Sequence, residues 1–134
     1  NFYKKPSIIT GAASGLGLAI AKLLISKGSE IIAVDIDKDR LQAEFSAHPN
    51  VKVFPCDLAN EAELMSLAQM IENDPKIANL FLCAGFGVRG LFTEENIEVQ
   101  LKLIDVMVKS RLKLGAAICD ACGMPCIALC CIGY

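Results

Sequence analysis

Three glycines near the start of the chain have the type and spacing to bind a phosphate. The stretch from Ser7 to Gly17 reads SIITGAASGLG. Ile8, Ile9 and Thr10 form a short apolar, β-branched run that predicts a buried strand. Gly11 ends that run, Gly15 and Gly17 follow, and an apolar pattern with helical spacing starts directly after them. A strand, a glycine turn and a helix in this order place unpaired backbone N–H groups and the positive end of a helix dipole at one point. An anion can sit there only where side chains do not block the backbone. Gly11 suits the tight turn, Gly15 the close approach of a pyrophosphate, and Gly17 the packing of helix on strand. Ser14 and Leu16 complete the predicted cradle.

Acidic residues supply the second feature. Glu30 to Val34 reads as a second buried strand, and Asp35 stands at its C-terminal end, about 20 residues beyond the glycines. A carboxylate there can accept from both hydroxyls of an adenosine ribose and repels a 2′-phosphate. No Arg or Lys occupies Ala12, Ala13 or Ser14, so the pattern favours NAD over NADP. Asp37 fits better as the cap of the next helix. His48 is the only histidine; it lies in the turn His48-Pro49-Asn50 and reads as a loop residue.

Thr10-Gly11-x-x-x-Gly15-x-Gly17 resembles the short-chain dehydrogenase/reductase family. The resemblance runs from about Pro6 to Val108. It implies that Asp35 and Ile36 hold the adenosine ribose. It also implies that Asp57 accepts from the adenine amino group while Leu58 covers the ring. Ala84 and Gly85 match the end of a family motif reading N-N-A-G and would approach the nicotinamide-side ribose; Leu82 and Cys83 replace its two amides. The implied activity is hydride transfer between a nicotinamide cofactor and a small alcohol or carbonyl compound.

The elements that must position these residues follow from periodicity. The first helix is expected over Ser14 to Lys27, with Leu16, Ile20, Leu23 and Leu24 inward. A second is expected over Lys38 to Ala47, with Leu41 and Phe45 inward. A third strand covers Val51 to Pro55. Asn60 with Glu63 resembles a capping box and opens a helix that buries Leu64, Leu67, Ala68 and Ile71 and stops at Asn73-Asp74-Pro75. A fourth strand starts at Asn79. Thr93 is expected to cap a long helix whose stripe Ile97, Leu101, Ile104 and Val108 packs on the sheet. By resemblance, this 94–113 helix also pairs with its copy in a homo-oligomer. The expected fold is α/β, a Rossmann-like, doubly wound parallel sheet of four or five strands in the order 3-2-1-4(-5), truncated relative to the family.

The chain has 134 residues, a net charge of −2 and 54% hydrophobic residues. This excludes a disordered chain and gives no basic field for nucleic acid. The N-terminal NFYKKPS lacks the apolar core of a signal peptide. An odd number of cysteines, seven, argues against a disulfide framework, so a reduced, cytoplasmic setting is expected.

Catalytic residues are expected to be absent. The family mechanism uses a Tyr with a Lys four residues later, but the two tyrosines here are Tyr3 and the final residue, Tyr134, and no Ser follows Ser110. Met107 stands where the resemblance places an Asn that supports a water; Met cannot orient one. Residues 1–113 therefore read as an incomplete NAD-binding unit. Residues 114–134 read as an atypical apolar tail with Cys119, Cys122, Cys126, Cys130 and Cys131. Truncation or a changed reading frame is the preferred account of this tail, and a degenerate fifth strand over Ile127 to Ile132 is a second. Thiolate ligation of zinc or iron–sulfur is a third; its spacing lacks two separated C-x-x-C pairs, so no metal ligand is assigned. The glycines of the tail make it a poor membrane span. A non-catalytic NAD-binding module is the alternative to an enzyme.

Overall fold

The computed structural model describes residues 2–87, 90–122 and 127–130. Its strands are β1 (Ser7–Thr10), β2 (Ile31–Asp35), β3 (Val51–Pro55), β4 (Asn79–Leu82) and β5 (Ile127–Cys130). They form one parallel sheet in the order β3-β2-β1-β4-β5. The expected order holds. β5 occupies the place beside β4 that the sequence offered to a fifth strand, and Asn79 to Leu82 pair with Ile127 to Cys130.

Helices cover both faces. They are α1 (Gly15–Ser26), α2 (Lys38–Phe45), α3 (Glu61–Glu72), α4 (Ile97–Ile104) and α5 (Ser110–Cys122). Alternation along the strands sorts the core into two layers. Ile9, Ala33 and Phe81 pack with Ala21, Leu24, Leu41 and Phe45 of α1 and α2. Ile8, Val34, Leu80 and Leu82 pack with Leu64, Leu67 and Ile71 of α3 and with Leu114, Ala117 and Ile118 of α5. Strands buried on both faces explain why β1 and β4 read as unbroken apolar runs.

Three expectations are corrected. In α1 the inward residues are Gly17, Ala21 and Leu24, while Leu16 and Leu23 are exposed. The small residues let α1 approach the sheet closely, and the larger leucines are displaced outward. The stripe Ile97, Leu101, Ile104 and Val108 does not pack on the sheet; all four are exposed. This segment carries two apolar stripes, and the inner one continues through Val106, which packs against the core cluster, to buried Ser110, Leu114, Ala117 and Ile118. A single π-helical turn over Asp105–Lys109 joins α4 to α5, and Ser110 donates to the Val106 carbonyl at 2.5 Å. Asn96, not Thr93, caps α4 by accepting from the Glu98 N–H.

Helix α5 also runs straight across the boundary expected at 113/114, so residues 114–122 belong structurally to the main core. Glu61 at the start of α3 holds Lys109 and Lys113. Those two hydrogen bonds lower the Glu61 carboxyl to about 2. Cys122 donates to the Ile118 carbonyl at 2.7 Å. Cys56 is buried, and desolvation, then the charges of Glu63 and Asp57, push its thiol up to about 12, which makes it inert. Among the described residues no group of His, Cys, Asp and Glu could hold a metal, and no helix is long and apolar enough to cross a membrane. The side chains of Cys126, Cys130 and Cys131 lie outside the described residues.

The placement of α5 makes a stability prediction. Ile118 is fully buried and Leu112 is 71% exposed. Ile118→Ala should destabilise the fold by about 2–5 kcal/mol in urea unfolding, and Leu112→Ala by about 0.5 kcal/mol or less. Equal effects would show that α5 is not a core element.

Candidate functional site

The C-terminal ends of β1 to β4 open on one cleft of about 800 Å³. Backbone packing without side chains shapes its floor. Gly11 has φ +68°, and a Cβ there would come within 2.8 Å of the Ala84 nitrogen. A Cβ on Gly17 would overlap the Gly11 carbonyl. Thr10 bolts the same region together, because its hydroxyl accepts from the Ala84 N–H at 3.2 Å and donates to the Phe81 carbonyl at 3.5 Å. The ends of β1 and β4 are thereby held at contact distance. Gly15 differs: it has φ +53°, and a Cβ there would meet nothing within 4 Å. Its surroundings are open space at the mouth of helix α1.

The N-terminus of α1 is chemically available. Ser14 is extended and its side chain makes no capping hydrogen bond. By contrast Asp37, Asn60 and Asn96 each accept from a first-turn N–H of α2, α3 and α4. The first turn of α1 contains no acidic residue. Its dipole and free N–H groups therefore face the cleft without a built-in anion, which suits a phosphate.

Asp35 stands half-buried beside this end. One carboxylate oxygen accepts from the Ala13 N–H at 3.0 Å and the other from the Asp37 N–H at 3.0 Å. These bonds fix the carboxylate and leave each oxygen a lone pair for a further donor. Asp37 caps α2, as expected, by accepting from the Arg40 N–H at 3.0 Å.

Every position named from the sequence lines the cleft: Gly11, Ser14, Gly15, Leu16 and Gly17 at one end, Asp35 and Ile36 beside them, then Asp57 and Leu58, and Ala84 and Gly85. Two differ in detail from expectation. Leu58 is mostly buried in the core, whereas Ile36, at 65% exposure, offers the larger free apolar face. Asp57 also caps a turn, accepting from the Ala59 N–H at 2.9 Å. The capping box is only half-formed: Asn60 accepts from the Glu63 N–H, but Glu63 reaches the Asp57 N–H rather than that of Asn60. His48 does not line the cleft.

Sequence reasoning missed the wall contributed by α4 and the π turn: Val99, Lys102 and Val106. Lys102 Nζ lies 3.7 Å from Asp57 Oδ2. The signal was present as the spacing of Val99, Leu103 and Val106, an i, i+4, i+7 stripe masked by its neighbour. Met107 lies against Gly85, its Cε 3.3 Å from where a Cβ would stand, and Arg111 donates to the Ala84 carbonyl at 3.3 Å.

Comparison with known proteins agrees with this geometry. A family model described as short chain dehydrogenase matches residues 5–123, extending beyond the expected limit at Val108 to include α5. An uncharacterised oxidoreductase of Staphylococcus aureus strain N315 is 34% identical over 113 residues, covering 81% of this chain and 48% of the relative. A bulky-bulky ketone specific alcohol dehydrogenase from Comamonas testosteroni superposes with TM-score 0.81 at 26% identity, over 85% of this chain and 48% of that one. A short-chain dehydrogenase from Sphingobium yanoikuyae, solved in complex with NADPH, superposes with TM-score 0.81 at 28% identity, over 85% and 47%. The chain thus spans about half the length of the curated relatives it matches. The glycine turn, the sheet order and the family match lead to one conclusion: this chain belongs to the short-chain dehydrogenase family.

Proposed function

We propose that these residues form the cofactor-holding half of an NAD-dependent oxidoreductase acting on a small alcohol or carbonyl compound in the cytoplasm. The observation that carries the reading is the open N-terminus of α1 beside Gly15, with the Asp35 carboxylate on the same cleft. In this reading Gly11, Ser14, Gly15, Leu16 and Gly17 cradle the pyrophosphate and Asp35 with Ile36 holds the adenosine ribose. Asp57 and Leu58 meet the adenine, and Ala84 and Gly85 meet the second ribose. Asp35 favours NAD, because a 2′-phosphate would meet its negative charge with no cation among Ala12, Ala13 and Ser14. A bound nicotinamide cofactor supplies the hydride chemistry.

Proton transfer needs a separate group. A tyrosine with a lysine four residues later does not occur within these 134 residues. These 134 residues alone therefore bind the cofactor without turning over a substrate, as a non-catalytic module would. The outward stripe Ile97, Leu101, Ile104 and Val108 supports pairing with a second copy of the chain, since such a row of exposed apolar residues is a docking surface.

Two measurements test these readings. Calorimetry should show saturable NADH binding, tighter than NADPH binding. Asp35→Ala should weaken NADH about tenfold or more, since hydrogen bonds to a charged acceptor contribute about 1.5–3 kcal/mol, and should shrink the preference over NADPH. No heat at millimolar NADH would overturn the assignment. In sedimentation velocity the chain should run as a dimer and Leu101→Glu as a monomer; a monomeric parent would exclude the pairing.

A further inference from the structure

A second, smaller and open surface depression of about 410 Å³ lies beside the cleft, bounded by Ala59, Asn60, Glu98, Leu101 and Asp105 together with Asp57 and Lys102. Among the described residues, only Asp57 and Lys102 belong to both linings. Their ion pair, at 3.7 Å, is therefore the partition between the two spaces. Asp57 is fixed from below, since Oδ1 accepts from the Ala59 N–H. Lys102 reaches it from the last turn of α4 on a long, half-exposed side chain. The fixed half of the partition is thus the carboxylate and the movable half is the lysine.

We propose that Lys102 is a specificity-determining residue that closes the adenine end of the cleft and excludes ligands substituted on the adenine amino group. The inference rests on the cofactor reading, in which Asp57 accepts from that amino group. A substituent there points at the Asp57–Lys102 pair. To enter, it must displace the Lys102 side chain and its ammonium from Asp57 Oδ2. The exposed pair is weak in itself, so the exclusion rests on the space that the lysine side chain fills between the two linings. Discrimination arises from that filled space rather than from a better contact with the correct ligand. Without the lysine side chain the two spaces join, and the substituent has the open depression to occupy.

The test is displacement of NADH fluorescence by ADP and by N6-benzyl-ADP, using the full chain. The parent should bind N6-benzyl-ADP about tenfold or more weakly than ADP. Lys102→Ala should bring the two within about threefold, and Lys102→Arg, which restores a cation of similar reach, should keep the discrimination. A parent that binds both alike, or a Lys102→Ala ratio equal to the parent's, would overturn the role of Lys102 while leaving the cofactor reading intact. Failure of NADH and ADP themselves to bind would instead remove the cofactor reading, and this inference with it. Circular dichroism of each variant separates loss of discrimination from loss of fold.

Discussion

The structure depends on the close approach of the backbone at the ends of β1 and β4. Gly11 lies against Cys83 and Ala84, and Gly17 lies against Gly11. No Cβ fits at either contact. Thr10 adds the hydrogen bond that holds the two strand ends together. This packing does two things at once. It brings α1 onto the sheet through Gly17, Ala21 and Leu24, and it aims the uncapped start of α1 at the cleft. A side chain at Gly11 or Gly17 would spread the layers and turn the helix end away, so fold and site share one constraint.

Much of this was legible in the sequence because glycine spacing and strand ends are local signals. Gly11, Gly15, Gly17 and Asp35 could be placed without knowing what packs around them. The order of the first four strands also follows, since strand–helix–strand units cross over with one hand and their apolar runs have no competing reading; the fifth run competed with a truncated tail. Helical spacing of apolar residues misplaces the inner face of α1. Leu16 and Leu23 are larger than Gly17 and Ala21, yet close helix–sheet approach selects the small residues. The α4–α5 segment was misread for a different reason: it has two apolar stripes, and periodicity cannot say which one meets the sheet. The outer stripe is more continuous in sequence. The inner one passes through a π turn, which shifts the phase by part of a turn, and includes Ser110, a polar residue buried by its bond to the Val106 carbonyl.

That same misreading hid Lys102. A residue on the cleft wall can be inferred only once the helix carrying it is correctly rotated. Its partner Asp57 follows from the family resemblance, and the pair is visible only in three dimensions. The cysteines show the converse. Five of them crowd into the last stretch of sequence, which reads first as a truncated or frame-altered tail. Cys122 instead sits in α5 with its thiol bonded to a helix carbonyl, and residues 114–122 share the core of the dehydrogenase fold. In the proposed reading, binding rests on backbone and carboxylates near the sheet's strand ends, and proton transfer is the task of a separate group.

Hydrogen–deuterium exchange with and without NADH tests the central claim most directly. The account predicts slower exchange on addition of NADH at residues 11–18, 35–37, 57–59 and 83–87, with α3 unchanged. Protection centred on another surface, or none at 11–18 under conditions where NADH binds, would contradict it.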